Sequence, residues 1–157
     1  MLDALARWGY RFAYLFLRVW WWICRPRAQG VAIAVVAEGR LLVVRQSFRT
    51  GIGLPAGGRD PDEPPRAAAL RELREETALA PEPAALIERG SLELVYEHRT
   101  LAITLFEWRP DIRPEIRVDR REIVAFAWMT ADELRAVPHR HPSLDWWTAR
   151  YGDQLAS

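Results

Sequence analysis

Three glutamates and an arginine stand close together near the middle of the chain: Arg71, Glu72, Glu75 and Glu76. The stretch from Arg66 to Thr77 predicts a helix, because AAALRELREE is rich in strong helix formers and has no interior Gly or Pro. Asp62, Glu63, Pro64 and Pro65 make a fitting entry, with Pro tolerated in a first turn and acids at the positive end of the helix dipole. At about 100° per residue, Glu72, Glu75 and Glu76 fall within an arc of roughly 100°. Ala69, Leu70, Leu73 and Thr77 fall on another side. One face is therefore expected to pack on a core while the other presents carboxylates. Carboxylates crowded on one face raise each other's pKa unless positive charge sits among them. A divalent cation does this, and all-oxygen ligands favour Mg²⁺ or Mn²⁺ over zinc. Arg71, one turn before Glu75, is placed for an i, i+4 pair with it. Taken alone, the run reads first as a solvated, charge-rich helix face.

The preceding loop decides between these. Gly57 is followed by five residues, Glu63, seven residues, Arg71-Glu72-Leu73, one residue, Glu75-Glu76, one residue, and Ala78-Leu79. This spacing resembles the signature of the Nudix hydrolases, which cleave nucleoside diphosphates linked to another moiety. One position departs: the family has Gly where this chain has Ala78. A Gly there suits a left-handed residue closing the helix, and Ala in that conformation costs roughly 1 kcal/mol.

The resemblance implies an α/β/α sandwich with a mixed sheet and a Mg²⁺-dependent attack of water on a pyrophosphate phosphorus, with Mn²⁺ as a substitute. It implies that Glu72, Glu75 and Glu76 hold metal together with the carbonyl oxygen of Gly57, and that Gly57 and Gly58 let the backbone approach closely. Glu63 is expected to brace the loop. Glu72 and Glu122 are both candidates for the general base, Glu122 equally for a further metal ligand or a plain surface acid. Arg45, at the end of a strand, and Arg59 are candidates for the substrate's phosphates. Tyr96 lies where some branches favouring diadenosine polyphosphates carry a Tyr, and it fits a strand position facing a core as well. An aromatic side chain from the loop running from Phe48 to Ile52 is placed to stack on a base. His139 and His141 lack a third ligand nearby for zinc, and His98 reads as a turn residue.

Composition narrows the partners. The chain has 157 residues, half of them hydrophobic, enough for one domain with a real core. Its net charge of +1 makes no general case for nucleic-acid binding. All 22 basic residues are Arg. The single cysteine, Cys24, excludes an internal disulfide and fits a reducing, cytoplasmic compartment.

Stepping along the chain, residues 2–24 predict one helix with Arg7, Arg11, Arg18 and Arg25 in a narrow basic stripe beside a wide aromatic face. Arg11 and Arg18 make it a poor membrane span. Its own domain, a twin subunit in a homodimer, or an anionic membrane interface would each cover the apolar face. Residues 1–29 are thus expected to be helix and linker, and 30–157 the catalytic domain. Val31–Ala37 and Leu41–Ser47 predict strands buried on both faces. Leu92–Glu97 and Leu101–Trp108 predict a hairpin, and residues 109–121 a surface loop. Ile123–Met129 predicts another strand apolar on both faces. Thr130 with Glu133 predicts a capping box, and Ser143 the cap of a last helix. Two function classes follow: a pyrophosphohydrolase acting on a small nucleotide substrate, and a non-catalytic module of the same fold that senses a nucleotide or binds a partner. Intact carboxylates favour the enzyme.

Overall fold

A computed structural model describes residues 13–17, 20, 27–96, 98–118 and 122–155. Six strands form one mixed sheet: β1 (Arg27–Ala37), β2 (Arg40–Gln46), β3 (Ala56–Gly58), β4 (Ile87–Tyr96), β5 (Arg99–Trp108) and β6 (Ile123–Met129). The order is β4-β5-β1-β2-β6, with β3 also paired to β1. Helices α1 (Pro65–Thr77), α2 (Ala131–Ala136) and α3 (Pro142–Tyr151) accompany it. The expected sandwich is therefore present.

β1 is central because it is apolar on both faces. Val31, Ile33 and Val35 pack with Ala68, Ala69 and Leu73 of α1 on one side. Ala32, Ala34 and Val36 pack with Leu134 of α2 and with Leu144 and Trp147 of α3 on the other. The two-residue side-chain period of a strand makes this division possible. β1 begins at Arg27, inside the stretch read as linker, because Arg27 to Gly30 pair in parallel with Thr100 to Ile103 of β5. Its opposite edge is shared: Gly30–Ala32 pair with β3, and Val36–Ala37 with β2. β3 thus fills the gap where β1 and β2 diverge, and it carries the two glycines of the motif.

Other expectations need correction. β6 is an edge strand with Phe126 exposed, so it is not buried on both faces. The acids before α1 do not cap it. Pro64 is the N-cap, no acid lies in the first turn, and Glu63 turns to Arg71 instead. α3 is capped by His141, whose ring Nδ1 accepts the Ser143 N–H; Pro142 at N1 starts the helix one residue earlier than Ser143 allows. The Thr130–Glu133 capping box is present in full. His98 occupies the β4–β5 turn with φ of 67°.

Of the N-terminal helix expected over residues 2–24, residues 13–17 and 20 are helical; Arg7, Arg11, Arg18 and Arg25 lie outside the described residues. Among the described residues no helix is long and apolar enough to cross a membrane.

Candidate active site

Helix α1 brings its glutamates to one cavity of about 260 Å³, lined by Glu72, Glu75, Glu76, Glu122 and Ile123. The helix positions them unequally. Glu75 is exposed and Glu72 half-buried, but Glu76 is only 4% exposed. The expectation that all three share a solvent-facing side is therefore corrected. β3 and the end of β2 cover Glu76, and its carboxylate accepts the Ala56 N–H at 3.0 Å and the Gln46 Nε2–H at 3.2 Å. Burial, and then the charges of Glu122 and Glu72, push its carboxyl up to about 8 despite those two hydrogen bonds. Burial also raises Glu72, against the pull of Arg71.

Arg71 organises the loop more than it holds Glu75. Its Nε and Nη2 donate to the two oxygens of Glu63 at 3.0 and 2.9 Å, a bidentate pair. Nη2 also donates to the Gly58 carbonyl at 2.9 Å, and Nη1 to Glu72 Oε1 at 2.7 Å. The contact with Glu75 is longer, 3.5 Å. The hydrogen bond from Arg71 holds the Glu63 carboxyl below its ordinary value. Glu63 thus braces the loop through Arg71. Arg59 adds to the brace, donating from Nη1 to the Glu63 carbonyl at 3.1 Å.

Gly57 sits directly against the Glu72 carboxylate: a Cβ there would lie 2.0 Å from Glu72 Cδ. Gly58 has open space where its Cβ would be. Arg45 is exposed at the shift in register between β2 and β6. It does not line the carboxylate cavity. Tyr96 does not line that cavity either; its ring lies edge-on to His141 at 4.9 Å and within 5.9 Å of the Arg49 guanidinium. A cavity of about 280 Å³ holds Tyr96, His139, His141, Arg49 and Gln46.

Sequence reasoning passed over Gln46, Arg49 and Tyr14. Arg49 donates from Nε to the Tyr14 hydroxyl at 3.0 Å and from Nη1 to Gln46 Oε1 at 3.2 Å. Gln46 in turn holds Glu76. The one available signal was a polar amide ending a strand whose middle, Leu41 to Val44, is buried.

The family profile described as the NUDIX domain matches residues 26–147. The chain belongs to the Nudix hydrolase family. A MutT-like protein of Streptomyces ambofaciens is 32% identical over 114 residues, which are 69% of this chain and 69% of that protein. Two solved structures share the Nudix fold. The MutT NUDIX hydrolase of Burkholderia pseudomallei has a TM-score of 0.66 at 23% identity, over 76% of this chain and 94% of that one. A bifunctional NMN adenylyltransferase/ADP ribose pyrophosphatase of Francisella tularensis, complexed with AMP and a Mn ion, has a TM-score of 0.72 at 17% identity. The likeness covers 93% of this chain and 48% of that one.

The donor set of this Nudix site suits a hard divalent cation. Four carboxylates line one cavity, no sulfur is among them, and the carboxyl of the least exposed of the four is raised by burial and then by its acidic neighbours. Among the described residues no three such groups converge on one point as placed, so the fit rests on donor chemistry.

Proposed function

We propose that the protein is a Mg²⁺-dependent hydrolase that cleaves the pyrophosphate bond of a nucleoside diphosphate linked to another moiety. The observation that carries this is the cavity lined by Glu72, Glu75, Glu76 and Glu122, with Gly57 against the Glu72 carboxylate. The Francisella structure, of a bifunctional NMN adenylyltransferase/ADP ribose pyrophosphatase complexed with AMP and a Mn ion, supports a nucleotide substrate and a divalent metal.

Glu72, Glu75 and Glu76, with the Gly57 carbonyl, would hold the ion. When bound, Mg²⁺ or Mn²⁺ would polarise phosphoryl oxygens and offset the charge of the leaving phosphate. The chain's own residues do the rest. Arg71 bonds both Glu72 and the Gly58 carbonyl and so ties the loop to the helix. Ala56 and Gln46 hold Glu76 in one rotamer. Glu122 lies on the same cavity and near enough to Glu76 to raise its pKa. We assign Glu122 to accept the proton of the attacking water. Oxygen then bonds to phosphorus as the bridging P–O bond breaks, and the phosphate leaves with the bridging oxygen. Arg59 and Arg45 stay our candidates for outlying phosphates, and Tyr96 for the nucleoside side.

A panel of ADP-ribose, diadenosine tetraphosphate and nucleotide sugars, incubated with Mg²⁺ or Mn²⁺ and read by product mass, tests the proposal. Metal-dependent cleavage at a pyrophosphate is expected. Tight binding of these compounds without turnover would instead mark a nucleotide-sensing module. The exposed Leu15, Phe16, Leu17 and Trp20 support a second copy or an anionic membrane surface as cover for the N-terminal segment. Light scattering and vesicle sedimentation, full-length against a chain starting at Pro26, tell these two apart.

A further inference from the structure

The catalytic carboxylates do not stand alone. A second cavity, of about 420 Å³, shares Glu122 with theirs and is walled by Tyr14 and Leu17 from the N-terminal helix, Phe48 and Arg49 from the loop after β2, and Gly58. That volume falls in the range of small-ligand sites. It also shares Gln46, Arg49, Ala56 and His141 with the cavity holding Tyr96. A ligand with its phosphates among the glutamates has these two spaces for what the phosphates carry.

The walls are made for a flat, polarisable group. The Tyr14 and Phe48 rings lie 4.8 Å apart at 45°. The Arg49 guanidinium is 5.6 Å from the centres of both rings. Guanidinium planes and aromatic faces are the surfaces on which nucleobases stack. The Tyr14 hydroxyl accepts from Arg49 Nε, so Tyr14 also sets where the guanidinium lies. Tyr14 precedes residue 26, where the family match begins. It therefore lies outside the span that the family profile matches.

We propose that Tyr14 is a specificity-determining residue: it completes the site for the nucleoside part of the substrate, its ring forming one wall and its hydroxyl fixing Arg49. This rests on the hydrolase reading above and deepens it by placing the base against Tyr14, Phe48 and Arg49. The phosphate end lies by α1 and the Gly57–Gly58 loop and does not depend on Tyr14.

The test is binding by the full chain in EDTA, where no turnover occurs, with ADP-ribose and inorganic pyrophosphate as probes in calorimetry. Tyr14→Ala is expected to weaken ADP-ribose about 10-fold, the scale of one lost base-stacking partner, and to leave pyrophosphate within about twofold. Tyr14→Phe keeps the ring and is expected to lose about threefold, the scale of one hydrogen bond. With Mg²⁺ the same variants should raise KM in that order and hold kcat. Unchanged ADP-ribose binding by Tyr14→Ala overturns the inference, as does an equal loss for pyrophosphate or a wild-type chain that binds no ADP-ribose. Wild-type binding through Tyr14 without hydrolysis would leave the inference standing and overturn the hydrolase reading alone.

Discussion

Gly57 and Glu72 are in contact so close that no side chain fits between them: a Cβ on Gly57 would stand 2.0 Å from both Cδ and Oε2 of Glu72. The clash falls on the far end of a flexible side chain, so the carboxylate swings aside before the backbone moves. Gly57→Ala is therefore expected to keep the fold, with a melting temperature within a few degrees of wild type. Hydrolysis should fall about 10²-fold, the cost of a catalytic group displaced by about 1 Å. Steady-state rates beside a thermal melt check both halves. A melt that collapses while the residual rate stays normal would show that the backbone yields instead.

Glu76→Gln keeps shape and removes charge. The buried site already disfavours that charge, and the Gln side chain oxygen still accepts the Ala56 N–H. Stability at neutral pH should change by less than about 1 kcal/mol. The rate should fall by about 10²–10⁴, or roughly 3–5 kcal/mol of transition-state stabilisation. Near wild-type hydrolysis would remove Glu76 from the metal ligands.

Ala78 closes α1 with φ of 61° and ψ of 13°, the left-handed conformation. Ala78→Gly should relieve its steric cost and stabilise the fold by up to about 1 kcal/mol. Part of that gain is offset by the freer unfolded chain. At this chain length the melting temperature should rise by about 2–4 °C at most. A clear fall would show that the residue is held by contacts Gly cannot replace.

Glu107 is fully buried and ties three elements together. Its oxygens accept from Arg89 Nη2 and Arg109 Nε at 2.6 Å each, and from Trp147 Nε1 at 3.1 Å. Burial by itself would raise its carboxyl, but the hydrogen bonds from Arg89 and Arg109 outweigh that and hold it below the ordinary value. A depressed folded pKa means stability that is present above the unfolded value of 4.5 and lost as pH falls through the folded one. Glu107→Gln should cost about 3–5 kcal/mol at pH 7, as for one partner removed from a buried pair. The gap between wild type and variant in urea melts should narrow as pH falls below 4.5. A gap independent of pH would mean that packing, not charge, carries the effect.

What could be read from the sequence was local. α1 follows from an unbroken run of helix formers, and the left-handed position at 78 from the motif's own pattern. The Thr130–Glu133 box depends on residues within one turn of each other, and the Val31–Ala37 part of β1 declared itself by being apolar at every position. Glu72, Glu75 and Glu76 were named from the motif and the family it resembles, and Glu122 from its place at the start of the last strand. What the tertiary structure decided depends on residues distant along the chain. Glu76 is buried because β3, twenty residues earlier, crosses it and supplies the Ala56 N–H. Arg71 chooses Glu63, eight residues back, over Glu75 four residues on, because the loop folds its carboxylate into bidentate range. Tyr14 meets Arg49 across 35 residues, and Trp147 meets Glu107 across 40. Helical periodicity places a side chain on a face; it says nothing of what the rest of the chain lays over that face, and here that covering separates a buried carboxylate from an exposed one a single residue away.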